Sequence, residues 1–181
     1  MKNQYLLAAS VFWLMSIFSG CRPAPPQYLS LSASAASDQR PPAAHESRMT
    51  VYRSAEDGRH IIPQTVILPA GEKNPKSALE AMLQADRQQK QSLLPPALSV
   101  KSVDVEKGTA YVNFSKELQT LQGGNTAEEL LIALTADTLT EFPDIQNVRF
   151  FIEGKPVQKL SGRHDMTVPF LRRENMILPE P

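Results

Sequence analysis

Beyond residue 48 the apolar residues change repeatedly between period-two and helical spacing, and the order of those segments predicts a fold. Met49 to Arg53 and Ile61 to Leu68 read as strands around the turn signal Glu56-Asp57-Gly58, with Pro63 confining the second strand to an edge or a bulge. Asn74-Pro75 opens a helix, because asparagine caps a free backbone N–H and proline tolerates the first helical position. Leu79, Met82 and Leu83 then share one face, and the helix ends near Gln84 to Arg87, ahead of Pro95-Pro96. Val103 and Val105, the turn Lys107-Gly108, and Ala110, Val112 and Phe114 alternating with Tyr111 and Asn113 form a hairpin signal.

Gly123-Gly124 breaks the chain, and Thr126 with Glu129 reads as a capping box opening a second helix. Leu130, Leu131, Leu134, Thr138, Leu139 and Phe142 cover about half of its circumference, the pattern of a helix pressed on a sheet. Pro143 ends it, and Val148, Phe150 and Ile152 alternate again before the turn Glu153-Gly154-Lys155. The predicted fold is α+β, two helices packed on one face of a small, mostly antiparallel or mixed sheet. It occupies residues 49–170, followed by a C-terminal tail, 171–181. In that tail Arg172-Arg173 precedes Met176-Ile177-Leu178, which reads as a frayed terminus, with a docking segment as the other possibility.

The first 48 residues have a different composition. Lys2 followed by the apolar stretch Tyr5 to Phe18 reads as a secretory signal, residues 1–20, too short for a comfortable membrane span of about 20 apolar residues. Phe18-Ser19-Gly20-Cys21 resembles the bacterial lipobox, with Phe18 where Leu, Val or Ile is usual. That resemblance implies diacylglyceryl transfer to the Cys21 thiol and cleavage between Gly20 and Cys21. A thiolate is the nucleophile such a thioether needs, and two acyl chains hold a protein stably at a bilayer where one does not. The anchored protein would sit at the outer face of the cytoplasmic membrane or at the outer membrane. Residues 21–48, rich in Pro, Ala, Ser and Gln, read as a disordered tether with an r.m.s. reach of roughly 30 Å.

Charge and candidate chemistry narrow the function by exclusion. Lys plus Arg and Asp plus Glu are equal at 19 each, with no basic stripe, which argues against nucleic-acid binding. Cys21 is the one cysteine, so neither an internal disulfide nor a cysteine metal site is expected. His45, His60 and His164 are scattered and form no pair with metal-ligand spacing; His164-Asp165 reads as an exposed loop. No Gly-x-Ser-x-Gly elbow is present, Gly123-Gly124 lacks the rest of a phosphate loop, and Glu128-Glu129 reads as complementing the helix dipole and the cap. The sequence therefore predicts no catalytic residue, no metal site and no cofactor.

Several segments together resemble the GerMN domain, the sporulation and spore germination domain of bacterial envelope lipoproteins. They are Val51-Tyr52-Arg53-Ser54, the run Ala110 to Leu118, Thr138-Leu139-Thr140-Glu141-Phe142-Pro143, and Val148 to Val157, spread over residues 48 to 168. The family often has aspartate where Asn113 and Glu153 stand, and Gly-Pro where Ala85-Asp86 stands; turn chemistry gives Asn113 and Glu153 the role of capping turns and strand ends. The resemblance implies a fold like the ring-building motif and a role in assembling envelope complexes. Some relatives carry two copies in tandem, where this chain shows one. The expected protein is thus a non-enzymatic interaction or scaffold module, its partners the bilayer through acylated Cys21 and other envelope proteins or copies of itself. The alternative is a binding lipoprotein that captures a cell-wall fragment or small molecule in a groove, although the tyrosines number four and Trp13 lies within the signal.

Overall fold

A computed structural model of the chain describes residues 46–69 and 71–179. Its elements run β1 (Ser47–Ser54), β2 (Ile61–Leu68), α1 (Pro75–Arg87), β3 (Val100–Glu106), β4 (Thr109–Phe114), α2 (Gly124–Leu139), β5 (Asn147–Ile152), β6 (Lys155–Pro156) and β7 (Phe170–Leu171), with 3₁₀ turns at Lys116–Thr120 and Glu174–Met176. The α+β class and the two helices are as the sequence predicts. The strands divide into two sheets: β1 pairs only with β2, and β3 to β7 form a second sheet in the order β3-β4-β5-β6, with β7 also on β5. The hairpin stands apart because β1 is buried on both sides, Val51 on one and Tyr52 on the other, by packing against both helices. Pro63 lies opposite Tyr52 in an unbroken β2, tolerated because a two-stranded sheet has a free edge on each strand.

Asn74 Oδ1 accepts a hydrogen bond from Ser77 N at 3.0 Å and Pro75 is the first residue of α1, so the cap forms as predicted. At the other end Asp86, 1% exposed, closes the helix from inside: its carboxylate accepts from Ser92 Oγ (2.6 Å), Leu93 N (3.1 Å) and Leu94 N (3.0 Å). The β3–β4 hairpin turns through Lys107 and Gly108, both at positive φ, as the predicted turn requires. β4 and β5 are parallel, since α2 is the crossover between them, and the remaining pairs are antiparallel.

α2 departs from its sequence reading in two ways. It starts at Gly124 after Gly123 (φ 102°), and Thr126, the expected cap, makes no such bond and is exposed. A Cβ on Gly123 would lie 2.9 Å from Ala127 Cβ, so a glycine entry replaces the capping box. Every residue from Leu130 to Leu139 is also buried, instead of half the circumference, because α2 touches β1 and β2 of the hairpin, β5 and β7 of the second sheet, and α1. That sheet presents Phe114 and Phe150, stacked at 6.1 Å, to the core, and Phe170 meets Phe150 edge-on at 5.7 Å.

Residues 170–178 are packed rather than frayed. Phe170 pairs with Val148, Met176 is buried, and Ile177 bridges to Ile61 while Leu178 N donates to Ile61 O at 2.8 Å. This segment therefore joins the second sheet to the hairpin. Among the described residues no helix is long and apolar enough to cross a membrane.

Candidate interaction face and groove

Alternation in the second sheet gives it two chemically distinct faces. Ala110, Val112, Phe114, Val148, Phe150 and Ile152 point into the core, and their neighbours point away from it. Register aligns those outward residues in three rows: Glu106, Thr109, Asn147 and Leu171; Asp104, Tyr111 and Arg149; Ser102, Asn113, Phe151 and Pro156. None of them is buried, and Leu171 is 64% exposed. Tyr111 and Phe151 lie diagonally across β4 and β5 with ring centroids 5.9 Å apart, and Arg149 Nη2 donates to Thr167 O at 2.8 Å. The face thus has an aromatic centre, an apolar flank at Leu171 and Pro156, and an acidic flank at Asp104 and Glu106.

A groove with a volume of about 810 Å³ adjoins this face at Pro156, lined by residues 155–159, Asp165, Thr167, Gln119 and Ile152. Turn chemistry holds its near end. Gly154 N donates to Asn113 Oδ1 at 2.8 Å, Lys116 N donates to Glu153 Oε1 at 3.0 Å, and Lys101 pairs with the other Glu153 oxygen, which keeps that carboxyl below its usual range. Asn113 and Glu153 therefore cap a turn and a strand end. Glu153 sits at φ 50° and Gly154 at φ 76°, the left-handed pair of a tight hairpin.

Glu128 secures the far side. It is fully buried, and its carboxylate accepts from Gly162 N (3.0 Å), His164 N (2.8 Å) and His164 Nδ1 (2.9 Å). Asn125 Oδ1 accepts from Arg163 N as well, so the first turn of α2 clamps the loop 161–164. The expectation that Glu128 merely complements the helix dipole is corrected: its side chain is committed to a loop distant in sequence. His164 accordingly leans on Glu128, while Asp165 is exposed and accepts from Thr167 N and Oγ1.

A second polar cluster fixes the C-terminal segment. Arg172 Nη1 donates to Glu141 Oε1 (2.9 Å) and Thr140 Oγ1 (3.2 Å), and Nη2 donates to Tyr52 OH (2.5 Å), which in turn donates to Glu141 Oε1 (2.8 Å). Burial, reinforced by Glu141, pushes the Tyr52 phenol up to about 12 against the opposing pull of Arg172. Arg173 N donates to Asp137 Oδ1 at 3.0 Å, and Asp137 Oδ2 is buried without a partner. Burial outweighs the Arg173 bond and the two arginine charges, and raises the Asp137 carboxyl to about 6. These contacts tie α2, β1 and the segment after β7 together, which is a structural task.

Cys21, Gly20, the signal, His45 and the tether up to residue 45 lie outside the described residues, while Ser47 and Arg48, expected at the end of the disordered tether, belong to β1 because they pair with Leu68 and Ile67. His60 pairs with Asp57 in the β1–β2 turn, and no group of three metal-ligating side chains forms among the described residues. Sequence reasoning missed Asp86, Glu128, Asp137 and Arg172 as fixed points. The available signal was a charged residue within an apolar run, as in Leu134-Thr135-Ala136-Asp137-Thr138-Leu139.

A family model described as Germane, sporulation and spore germination, matches residues 50–158. The chain belongs to this family. It is similar to the spore germination protein GerM of Bacillus subtilis, 28% identical over 128 residues, covering 65% of this chain and 34% of that protein. The chain thus spans about a third of the length of the curated relative it matches. Among solved structures, the first GerMN domain of the B. subtilis sporulation protein GerM matches at 26% identity and TM-score 0.58, covering 71% of this chain and 98% of that one. The tandem GerMN domains of the same protein match at 25% identity and TM-score 0.59, over 72% of this chain and 47% of that one. A chain from Clostridium perfringens shares the fold at 22% identity and TM-score 0.50, over 70% and 87%. The described residues of this Germane family member form a GerMN-type domain.

Proposed function

We propose that this protein is a lipid-anchored, extracytoplasmic lipoprotein whose GerMN-type domain is a non-enzymatic interaction module in cell-envelope complexes of sporulation or germination. The observation that carries the reading is the outward face of the second sheet. Its Tyr111–Phe151 pair is partly exposed and Leu171 and Pro156 are exposed, while the helices pack on the opposite face. Aromatic residues in a patch rimmed by charge are the usual anchors of protein recognition, and uncovered apolar surface marks interaction sites. Similarity to GerM supports the process, and the Phe18-Ser19-Gly20-Cys21 sequence supports anchoring of the mature chain at Cys21 on the outer face of the cytoplasmic membrane or at the outer membrane.

The reading as a glycan-binding lipoprotein finds less support, since none of the residues lining the groove is an aromatic on which a sugar could stack. The test is crosslinking in intact cells with wild type, Cys21→Ala, and a Tyr111→Ser/Phe151→Ser variant, followed by identification of the attached proteins. A fixed set of envelope proteins, or linked copies of the chain, is expected with wild type and is lost in both variants. Retention of the same set by a folded Tyr111→Ser/Phe151→Ser protein refutes the role given to the face, and recovery of the monomer alone from wild type refutes the module.

A further inference from the structure

The groove beside the aromatic face carries its own charge pattern. Ile152, Pro156 and Val157 give it an apolar floor, Gln119 and Gln158 add amides, and Lys155 and Lys159 contribute two ammonium groups. Neither lysine has a carboxylate within ion-pair distance among the described residues, although the nearby Lys101 is paired with Glu153. The one carboxylate in the lining, Asp165, is turned onto Thr167 N (3.0 Å) and Oγ1 (2.6 Å). The lining therefore sets two ammonium groups against one carboxylate, Asp165, which Lys159 helps to hold below its usual range after the Thr167 bonds, and it keeps a positive excess.

Its walls are also fixed in advance. Met166 N donates to Gln158 O at 3.1 Å and joins them, Glu128 holds the loop that connects them, and Arg149 holds Thr167 from the sheet face. A site already ordered loses little entropy when occupied, and a volume of about 810 Å³ lies in the range of ligand-binding clefts.

We propose that this groove docks an extended acidic segment of a partner protein, with an apolar side chain over Pro156 and Val157 and carboxylates against Lys155 and Lys159. The inference rests on the interaction-module reading and specifies the partner's chemistry. Continuity with the Tyr111–Phe151 face favours a protein partner, because Pro156 belongs to both surfaces. A phosphate polymer fits less well, because the apolar floor would meet nothing along its continuous charge.

The probe is a fluorophore-labelled Ser-Glu-Leu-Asp-Glu-Ser peptide titrated with the full chain and followed by anisotropy, beside its Gln/Asn analogue and an inorganic polyphosphate. Saturable binding of the acidic peptide below about 1 mM is expected, weakening as salt rises from about 50 to about 300 mM. Lys155→Gln with Lys159→Gln should weaken it about 10-fold, as two partly screened ion pairs allow, while the Lys→Arg pair retains it and Lys90→Gln changes nothing. Circular dichroism confirms that each variant is folded. No saturable binding, equal binding of the neutral analogue, indifference to the double Lys→Gln change, or tighter binding of polyphosphate each overturns the proposal. If the crosslinked set still depends on Tyr111 and Phe151 while the peptide fails, the groove proposal falls and the module reading stands.

Discussion

The contact between Glu128 and Gly162 can be tested as a coupled pair. A Cβ built on Gly162 would lie 2.5 Å from Glu128 Oε1 and 2.8 Å from its Cδ, inside any real contact, although the Gly162 backbone suits an ordinary residue. Gly162→Ala must therefore displace the carboxylate or the loop, at about 1–3 kcal/mol for overpacking. Glu128→Ala removes an acceptor of three hydrogen bonds, each charge-assisted and worth roughly 1.5–3 kcal/mol. The released donors belong to Gly162 and His164, which are half-buried between exposed neighbours and regain water in part, so the net loss should be about 2–4 kcal/mol. In the Glu128→Ala background the clash with the carboxylate is gone. Only the 3.0 Å approach to Asn125 Cα remains, so Gly162→Ala should then cost about 1 kcal/mol or less. Urea denaturation of the four proteins yields the coupling energy, expected at about 1–2 kcal/mol, and trypsin should cut at Arg163 faster in both single variants. Additive losses, with coupling under about 0.5 kcal/mol, refute the clamp.

Three further outcomes follow from other contacts. Asp137 has a folded-state pKa near 6 against an ordinary 3.8, so the folded protein binds the extra proton, and the stability Asp137 contributes below about pH 4 is lost as pH rises through 6. Asp137→Asn should abolish that slope in denaturation curves taken between pH 4 and 7, and an unchanged slope refutes the assignment. Arg172→Ala should cost about 2–3 kcal/mol by releasing Tyr52, Thr140 and Glu141, and should raise hydrogen exchange at Leu178 before the sheet opens. Lys107, at φ 48° ahead of Gly108, occupies a position that asparagine adopts more readily. Lys107→Asn should therefore raise the thermal midpoint by the equivalent of about 0.5 kcal/mol.

Local chemistry made most of the fold readable. The Asn74-Pro75 cap, the Lys107-Gly108 turn and the alternation in β4 and β5 each depend on neighbouring residues, and each formed as expected. The failures were mostly long-range. Thr126 and Glu129 satisfy a capping box by spacing, yet the helix opens at Gly124 behind Gly123, and Asn125 and Glu128 near its start are engaged by residues 162–164, more than thirty positions away. The two-residue strands β6 and β7 are too short to show a period. The half-apolar face drawn for α2 was wrong for a related reason: Asp137 and Thr135 look solvent-facing by type, but both are buried, Asp137 against Arg172 and Arg173 of the C-terminal segment.

The same distinction separates structure from function on the surface. Asn113 Oδ1 accepts from Gly154 N, Glu153 Oε1 accepts from Lys116 N and the other Glu153 oxygen pairs with Lys101, so both side chains are engaged locally. A side chain whose hydrogen bonds are filled locally has little left for a partner. Tyr111 and Phe151, by contrast, rest on each other and are partly exposed, Leu171 is exposed, and Lys155 and Lys159 face no carboxylate within pairing distance among the described residues. Substituting the first group should therefore lower stability and change docking only through unfolding, whereas substituting the second should change docking with the denaturation midpoint intact. A protein in which Asn113→Ala abolishes crosslinking at full stability would reverse that assignment and move the site from the face to the turn.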